Sequence, residues 1–460
     1  MVSVRAMAAR CLVCLAGLGS AAHVRSEPAQ APLVTPRRVY TLDQCLRLAV
    51  KNYPKVHEAR ARLAHKKAQL WQAQTQPYSE FTLTGGLGPA PTLRGVGAYS
   101  PNTDVSLTSE MGLAWQLGVE GVVPLWTFGK LTNLWDAAEA QVEVGKHEVD
   151  KERNDVQLSV RKAFYGAQLA RDSLLLVRRA AAQIDKYLGR MIEKVAEGEG
   201  DDIELLKLRM HRAELTARES EAIKQERIAM AGLRFLTGVQ GPFDIPDKPL
   251  RRIEHRLAPL ARYLTAARLH RPEINMARAG VAARTAQLRM ERARYFPDIG
   301  VGLSARWSRA PLVTDQMNPF YLDNANYLRY GAAVVLRWKL DLLPQAAREA
   351  QAAAQLEEMR ATERYALGGV GVEVEQAFQE AKDAERRLDA YTRAASYARQ
   401  WLIKVQQGID VGVFEDQDIV DPAKEYALKT FAQMVATFDY NLALAKLWQA
   451  TGWVAVGSEG

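Results

Sequence analysis

The 460 residues would fill roughly three ordinary domains, and 48% hydrophobic with 25% charged residues describes a chain that folds rather than one that stays disordered. Its net charge of +8 is spread over segments rich in both signs, with no basic patch interleaved with stacking aromatics, which argues against nucleic acid as a partner. The same percentages do not separate a soluble enzyme from a barrel protein, because membrane strands dilute their apolar signal by alternation.

The chain opens with Arg5 and Arg10, then the apolar run "CLVCLAGLG" from Cys11, then the small residues Ser20, Ala21 and Ala22. This order of charge, apolar core and small residues predicts a secretory signal peptide over residues 1–22. Cys11 and Cys14 would leave with it, and Cys45 alone makes no internal disulfide. No later stretch approaches 18 uninterrupted apolar residues, so no further membrane helix is predicted.

The mature chain says the same thing twice. A shift of 218 residues aligns "PKVHEARARLAHKKAQL" from Pro54 with "PEINMARAGVAARTAQL" from Pro272. A shift of 214 aligns "VRKAFYGAQLARDSL" from Val160 with "VEQAFQEAKDAERRL" from Val374, and a shift of 210 aligns Tyr187, Lys194, Val195 and Gly198 with Tyr397, Lys404, Val405 and Gly408. Three collinear blocks define an internal duplication. The first repeat spans residues 23–238, a glycine- and proline-rich linker 239–259, the second repeat 260–453, and a tail 454–460.

Each repeat follows one grammar. A helix of about 35 residues leads to two strands, then to a helix of about 65–70 residues, a turn, and another helix of about 35. The strands are predicted at about 79–87 and 111–121, and again at about 298–308 and 327–340. In each, one face is apolar: Trp115 and Leu117, Leu303 and Trp307, Leu336 and Trp338 oppose glycines and polar residues, and these six are predicted to face lipid. An open sheet edge is not tolerated in lipid, so four strands must close with copies from other chains, as twelve from a trimer or sixteen from a tetramer. The long helix carries a heptad seam from Val160 through Ala163, Ala167, Ala170, Leu174, Val177, Ala181, Ile184, Leu188 and Met191 to Val195. At 1.5 Å per residue it reaches on the order of 100 Å, the length of two shorter helices laid end to end. The fold class is therefore mainly α, with long antiparallel coiled-coil hairpins and a small β part.

From "TLDQCLRLAVKNYP" (41–54) to "YNLALAKLWQATG" (440–452), the chain resembles the outer-membrane efflux proteins of the TolC family. The carriers are Asn52-Tyr53-Pro54, "PLWTFGK" after the second strand, and Ala450-Thr451-Gly452. The resemblance implies a homotrimer with a twelve-stranded outer-membrane barrel and an α-helical tunnel extending into the periplasm. It also implies a periplasmic adaptor (membrane-fusion) protein and an inner-membrane pump of RND, ABC or MFS type as partners, with the chain as exit duct for efflux or type I secretion.

In that family the turns at the far end of the helices gate the tunnel and meet the adaptor, and here they lie at about 196–206 and 408–421. Gly198, Asp201, Asp202, Gly408, Gly412 and Phe414 are the positions the resemblance assigns to adaptor contact. Asp418 and Asp421 match the family's aspartates spaced three apart, one helical turn, which would project into the lumen and favour cations. Phe414 and Ile409 depart from the arginine and tyrosine of prominent members, so polar closure does not carry over; apolar packing or an open tip remains.

An enzyme finds no support. The seven histidines show no metal-ligand spacing, and there is no phosphate loop, nucleophile elbow or dinucleotide fingerprint. Neither cofactor nor metal is expected. The serious rival is a soluble periplasmic coiled-coil scaffold, which explains the heptads but not the signal peptide or the paired strands.

Overall fold

A computed structural model describes residues 38–94, 104–198, 201–313, 323 and 325–453. The predicted signal peptide and the C-terminal tail lie outside the described residues. In chain order the elements are β1 (Arg38–Val39), α1 (Leu42–Asn52), α2 (Pro54–Ser79), β2 (Phe81–Arg94), β3 (Asp104–Trp126), α3 (Lys130–Ala196) and α4 (Asp202–Thr237). Then come β4 (Phe243–Asp244), α5 (Leu260–His270), α6 (Pro272–Ala293), β5 (Asp298–Arg309), β6 (Tyr327–Arg337), α7 (Leu342–Asp410), a 3-10 turn over Asp416–Ile419, and α8 (Val420–Ala450).

The helix predicted before each strand pair is in fact two helices. Tyr53 (φ −66°, ψ 128°) and Arg271 (φ −67°, ψ 122°) are extended because each precedes a proline, whose ring disfavours the helical conformation in its predecessor. Pro54 and Pro272 then start the next helix, where the missing N–H costs nothing. On the other side of the break, α1 is started by a reciprocal cap in which Thr41 and Gln44 each accept the other's backbone N–H.

The long helices run 67 residues in α3 and 69 in α7. Every position of the α3 seam from Val160 to Val195 is buried or half-buried. Phe164, Tyr165 and Ser173, off the seam, are buried too, because α3 packs against α2 and α4 on one side and α6 and α8 on the other. α2 and α4 lie along α3, while α7 packs against α6 and α8. The layer thus reads α2/α4, α3, α6/α8, α7, with free flanks at α2/α4 and at α7.

Two apolar clusters mark the waist. Cys45, Val56, Val160, Phe164, Leu233 and Ile245 fill the first repeat; Tyr263, Ile274, Val374, Tyr440, Leu444 and Leu447 fill the second. Burial pushes the Cys45 thiol up to about 11, so it is a core side chain rather than a reactive one. The connection between repeats belts both clusters. Its β4 pairs in parallel with β1, Leu250 N–H donates to Asp172 at 2.7 Å, and the buried Asn441 amide bonds both Arg251 C=O (2.8 Å) and Ile253 N–H (3.0 Å). Arg252 then pairs with Glu385 and Asp389 of α7.

The four long strands form one antiparallel sheet in the order β2-β3-β5-β6. β2 and β3 run further from the helices than the alternation alone indicates, to Arg94 and from Asp104; in β2 the glycine, proline and threonine of "GGLGPAPT" mask the period, and the pairing with β3 shifts register between Pro91 and Thr92 before it resumes. The last strand is shorter than predicted. It ends at Arg337, and Trp338 instead donates its ring N–H to the Tyr295 carbonyl at 3.1 Å, at the junction with the helices.

Candidate functional site: an apolar sheet and an acidic tip

Register decides which side chains share a face. Leu83 is opposite Val119, Gly85 opposite Leu117 and Leu87 opposite Trp115; Leu117 is opposite Trp307, Val119 opposite Ala305 and Gly121 opposite Leu303; Leu303 is opposite Ala332, Val301 opposite Val334 and Ile299 opposite Leu336. The apolar sets of all four strands therefore fall on one continuous face. Trp115 and Trp307 meet edge to face at 4.5 Å on it. Among the described residues no helix covers this face, and Leu83, Leu113, Val334 and Leu336 are each more than half exposed. The opposite face carries Thr82, Thr84, Gln116, Glu120, Ser304, Arg306 and Arg329. Of the six residues predicted to face lipid, Trp115, Leu117, Leu303, Trp307 and Leu336 lie together on the apolar face, while Trp338 lies outside the strand.

The passage from sheet to helix is made by "PLWTFGK". Phe128 (φ 51°) and Gly129 (φ 91°) are both left-handed, which turns the chain sharply out of β3 into α3. Phe128 stacks on Phe296 at 5.4 Å, and Lys130 reaches the Phe296 carbonyl and the Asp298 carboxylate, both at 2.8 Å. The first repeat's strand exit is thereby fastened to the second repeat's strand start.

At the other end of the helices the two turns are built differently. After α3, Gly198 takes φ 81°, and Asp201 caps α4 by accepting the Ile203 N–H at 2.8 Å. Asp202 is exposed in the first turn of α4, where its charge complements the helix dipole. Glu204 points inward instead, buried and paired with Lys207 at 3.1 Å. After α7, Gly412 takes φ 77°, and the Gly408 carbonyl receives the N–H groups of Val413 (2.8 Å) and Phe414 (3.3 Å). The Phe414 ring lies over Gly408, where a Cβ would come within 2.3 Å of it. Asp418 sits in the 3-10 turn and accepts the Glu415 N–H at 2.9 Å, while Asp421 lies in the first turn of α8. Both carboxylates are exposed, and the buried Ile419 between them anchors the turn. Tyr187 of α3 meets Gln406 of α7 at 3.4 Å, tying the two hairpins near their ends.

Three fastenings carry no sequence signal. Lys130–Asp298 is one. The second is Arg271, buried, paired with Glu273 and in bidentate contact with Glu373, and donating to the Gln449 carbonyl at 3.0 Å. The third is Arg161, stacked over Trp453 at 4.2 Å. Lys130–Asp298, Arg271–Glu373 and Arg161–Trp453 each join residues more than a hundred positions apart, so local pattern is silent about them.

A sheet with one apolar face uncovered among the described residues, carried by helical hairpins many turns long, is the architecture of a membrane channel with a helical extension. The outer membrane efflux protein family matches residues 45–239 and 263–453, one match per repeat, and the chain belongs to that family. It is accordingly an outer-membrane protein, and the family and fold are those of channels rather than enzymes. Protein CyaE of Bordetella pertussis is 27% identical over 271 residues, 56% of this chain and 53% of that protein; the chain thus spans about half the length of the curated relative it matches. Among solved structures, the open state of the MtrE outer membrane channel of Neisseria gonorrhoeae matches with a TM-score of 0.73 at 15% identity, covering 89% of this chain and 88% of that one. A membrane protein from Pseudomonas aeruginosa matches at 0.72 and 18% identity over 90% and 91%, and the CmeC outer membrane channel of Campylobacter jejuni at 0.70 and 14% over 91% and 87%. At these identities the likeness is one of fold.

Proposed function

We propose that three copies of this chain close into one exit duct across the outer membrane and into the periplasm. In that duct each copy contributes four strands to a shared barrel of twelve. The observation that carries the reading is that sheet and helices are open on the same two sides. The sheet ends at β2 and β6, and the helical layer ends at α2/α4 and α7. β2 follows α2 and β6 precedes α7, so one head-to-tail contact satisfies both levels: β6 and α7 of one copy against β2, α2 and α4 of the next. Lipid demands that closure. A soluble scaffold would leave the apolar face of the sheet without a partner.

In this duct the tips are the docking end for a periplasmic adaptor, through Gly198, Asp201, Asp202, Gly408, Gly412 and Phe414, and an inner-membrane pump of RND, ABC or MFS type supplies the cargo, for efflux or type I secretion. Outer-membrane fractions run on a mild-detergent gel should give a carbonate-resistant species near three times the chain mass that collapses to one chain on boiling. A soluble monomer or dimer of the processed chain would sink the duct.

Asp418 and Asp421 are the aperture residues of this reading. Asp418→Asn with Asp421→Asn removes their charge while leaving an acceptor for the Glu415 N–H. In planar bilayers the pair should lower the channel's preference for cations over anions several-fold, read as the reversal potential in a salt gradient. An unchanged potential would move the selective carboxylates elsewhere.

A further inference from the structure

We infer that α4 carries a second apolar seam, opposite the one it turns to α3, and that α7 of a neighbouring copy lies in it with Tyr397 and Trp401 seated against Ala213 and Ala217. The first seam of α4 is Leu205, Leu208, Ala222 and Leu233, all buried. On the other side Ile203, Leu206, Met210, Ala213 and Ala217 follow one another at alternating steps of three and four. Ile228, Ala231 and Phe235 take up the spacing again further along the same flank. Every one of these residues is exposed. A helix that packs on one neighbour needs one apolar stripe. A second stripe at heptad spacing is the pattern of a helix held from two sides.

The cross-links within one copy set the level at which α7 meets this seam. Arg178–Glu219 and Arg212–Asp185 pair α3 with α4 rung by rung, and Tyr187–Gln406 puts α7 level with the same part of α3. On this ladder Tyr397 and Trp401 stand level with residues 213–221 of α4. Both rings are exposed, on the flank of α7 away from its buried Ala384, Leu388, Ala395 and Ala398. Large side chains therefore stand where α4 offers methyl groups, as knobs to holes. The inference rests on the duct reading, which brings these two flanks together, and cyclic symmetry keeps the level the same in every copy. Charge agrees with the fit. Arg393 and Lys404 share the flank of the two rings, and Glu214 and Glu221 lie beside the alanines. Lys224, at the level of Arg393, is already 3.9 Å from Glu221, so that carboxylate would sit between two cations.

The test uses the full-length protein in outer-membrane fractions, carrying Lys404→Cys with Ala213→Cys, a pair that leaves both rings in place. Cys45 is fully buried and stays out of the reaction. Mild oxidation should join copy to copy, giving covalent dimers and trimers on a boiled gel that reductant returns to one chain. A disulfide demands close approach, so Lys404→Cys with Thr216→Cys, exposed but off the stripe, should give at least about tenfold less covalent product. If the first pair does not assemble, Trp401→Cys with Ala217→Cys carries the same test. A heat-dissociable oligomer that links at neither pair, or equally at 213 and 216, overturns the seam and leaves the duct intact. Linkage only to a different protein gives this face to another partner and overturns the seam too. A wild-type chain that forms no oligomer sinks both.

Discussion

Leu303→Arg should abolish the heat-dissociable oligomer in outer-membrane fractions, whereas Ser304→Arg, one residue along the same strand, should leave it in place. Leu303 lies in the middle of β5, opposite Gly121 and Ala332 on the apolar face. An arginine at the bilayer midplane costs about 2–4 kcal/mol on the lipid face of a barrel, and a cyclic assembly repeats that cost in every copy. Ser304 is on the other face, opposite Glu120 and Gly331, where a new arginine finds an acid and room. A soluble sheet predicts no such difference. Leu303 is 38% exposed and Val334 74%, with no helix above them among the described residues, so in water an arginine on that face would be harmless and would improve solubility. Recovery of Leu303→Arg in the membrane at wild-type levels would remove the lipid-facing assignment of the whole face, because register binds the four strands together. Loss of Ser304→Arg as well would point to crowding rather than to lipid.

What was legible in the sequence was whatever repeats at short period. Alternation at Trp115–Leu117 and Leu303–Trp307 placed strands, and the seam from Val160 to Val195 placed a helix of the right length with the right face inward. The duplication was legible because both copies keep their proline and alanine positions. The helix breaks before Pro54 and Pro272 carried a local signal, the X-Pro step, but the helical period continues across each break and hid it. Trp338 continues the alternation of β6 in sequence, yet its ring N–H is drawn to the Tyr295 carbonyl and the strand stops short. The tip aspartates Asp201, Asp202, Asp418 and Asp421 were legible by position but not by role. Asp201 is a cap, Glu204 is packed inward, Asp418 closes a turn and Asp421 is exposed; composition cannot distinguish these roles, because they depend on where the helix axis points after a left-handed glycine. Lys130–Asp298 and Arg271–Glu373 join distant segments, and long charged side chains have no period of their own to betray a partner.

Replacing Gly452 or Gly238 by alanine should destabilise the fold by about 2–4 kcal/mol each, with Gly452 the costlier. The two close equivalent corners. Each follows a fully buried threonine, Thr237 or Thr451, at the end of the last helix of its repeat, and each is left-handed, at φ 65° and 76°. That conformation alone disfavours alanine. Position adds the rest: a Cβ at Gly238 would lie 2.8 Å from the Asn52 Cβ, and one at Gly452 only 2.6 Å from the His270 carbonyl oxygen. Neither obstacle is the free end of a side chain, so the end of α1 or α5 must move. At the first corner Asn52 also bonds the Thr237 carbonyl at 2.9 Å, and at the second Arg271 bonds the Gln449 carbonyl, so a shift breaks the contact that holds the closing helix to the waist. Beyond Gly452, Trp453 is itself left-handed (φ 62°) and seats under Arg161 of the first repeat; displacing the corner unseats a link between repeats as well as one within them. Unfolding of the detergent-solubilised protein in guanidinium, followed by tryptophan fluorescence, should show both midpoints lowered, Gly452→Ala further. Equal midpoints for the two variants would mean that the Trp453 link contributes nothing, and wild-type midpoints would mean that these corners give way without moving the waist.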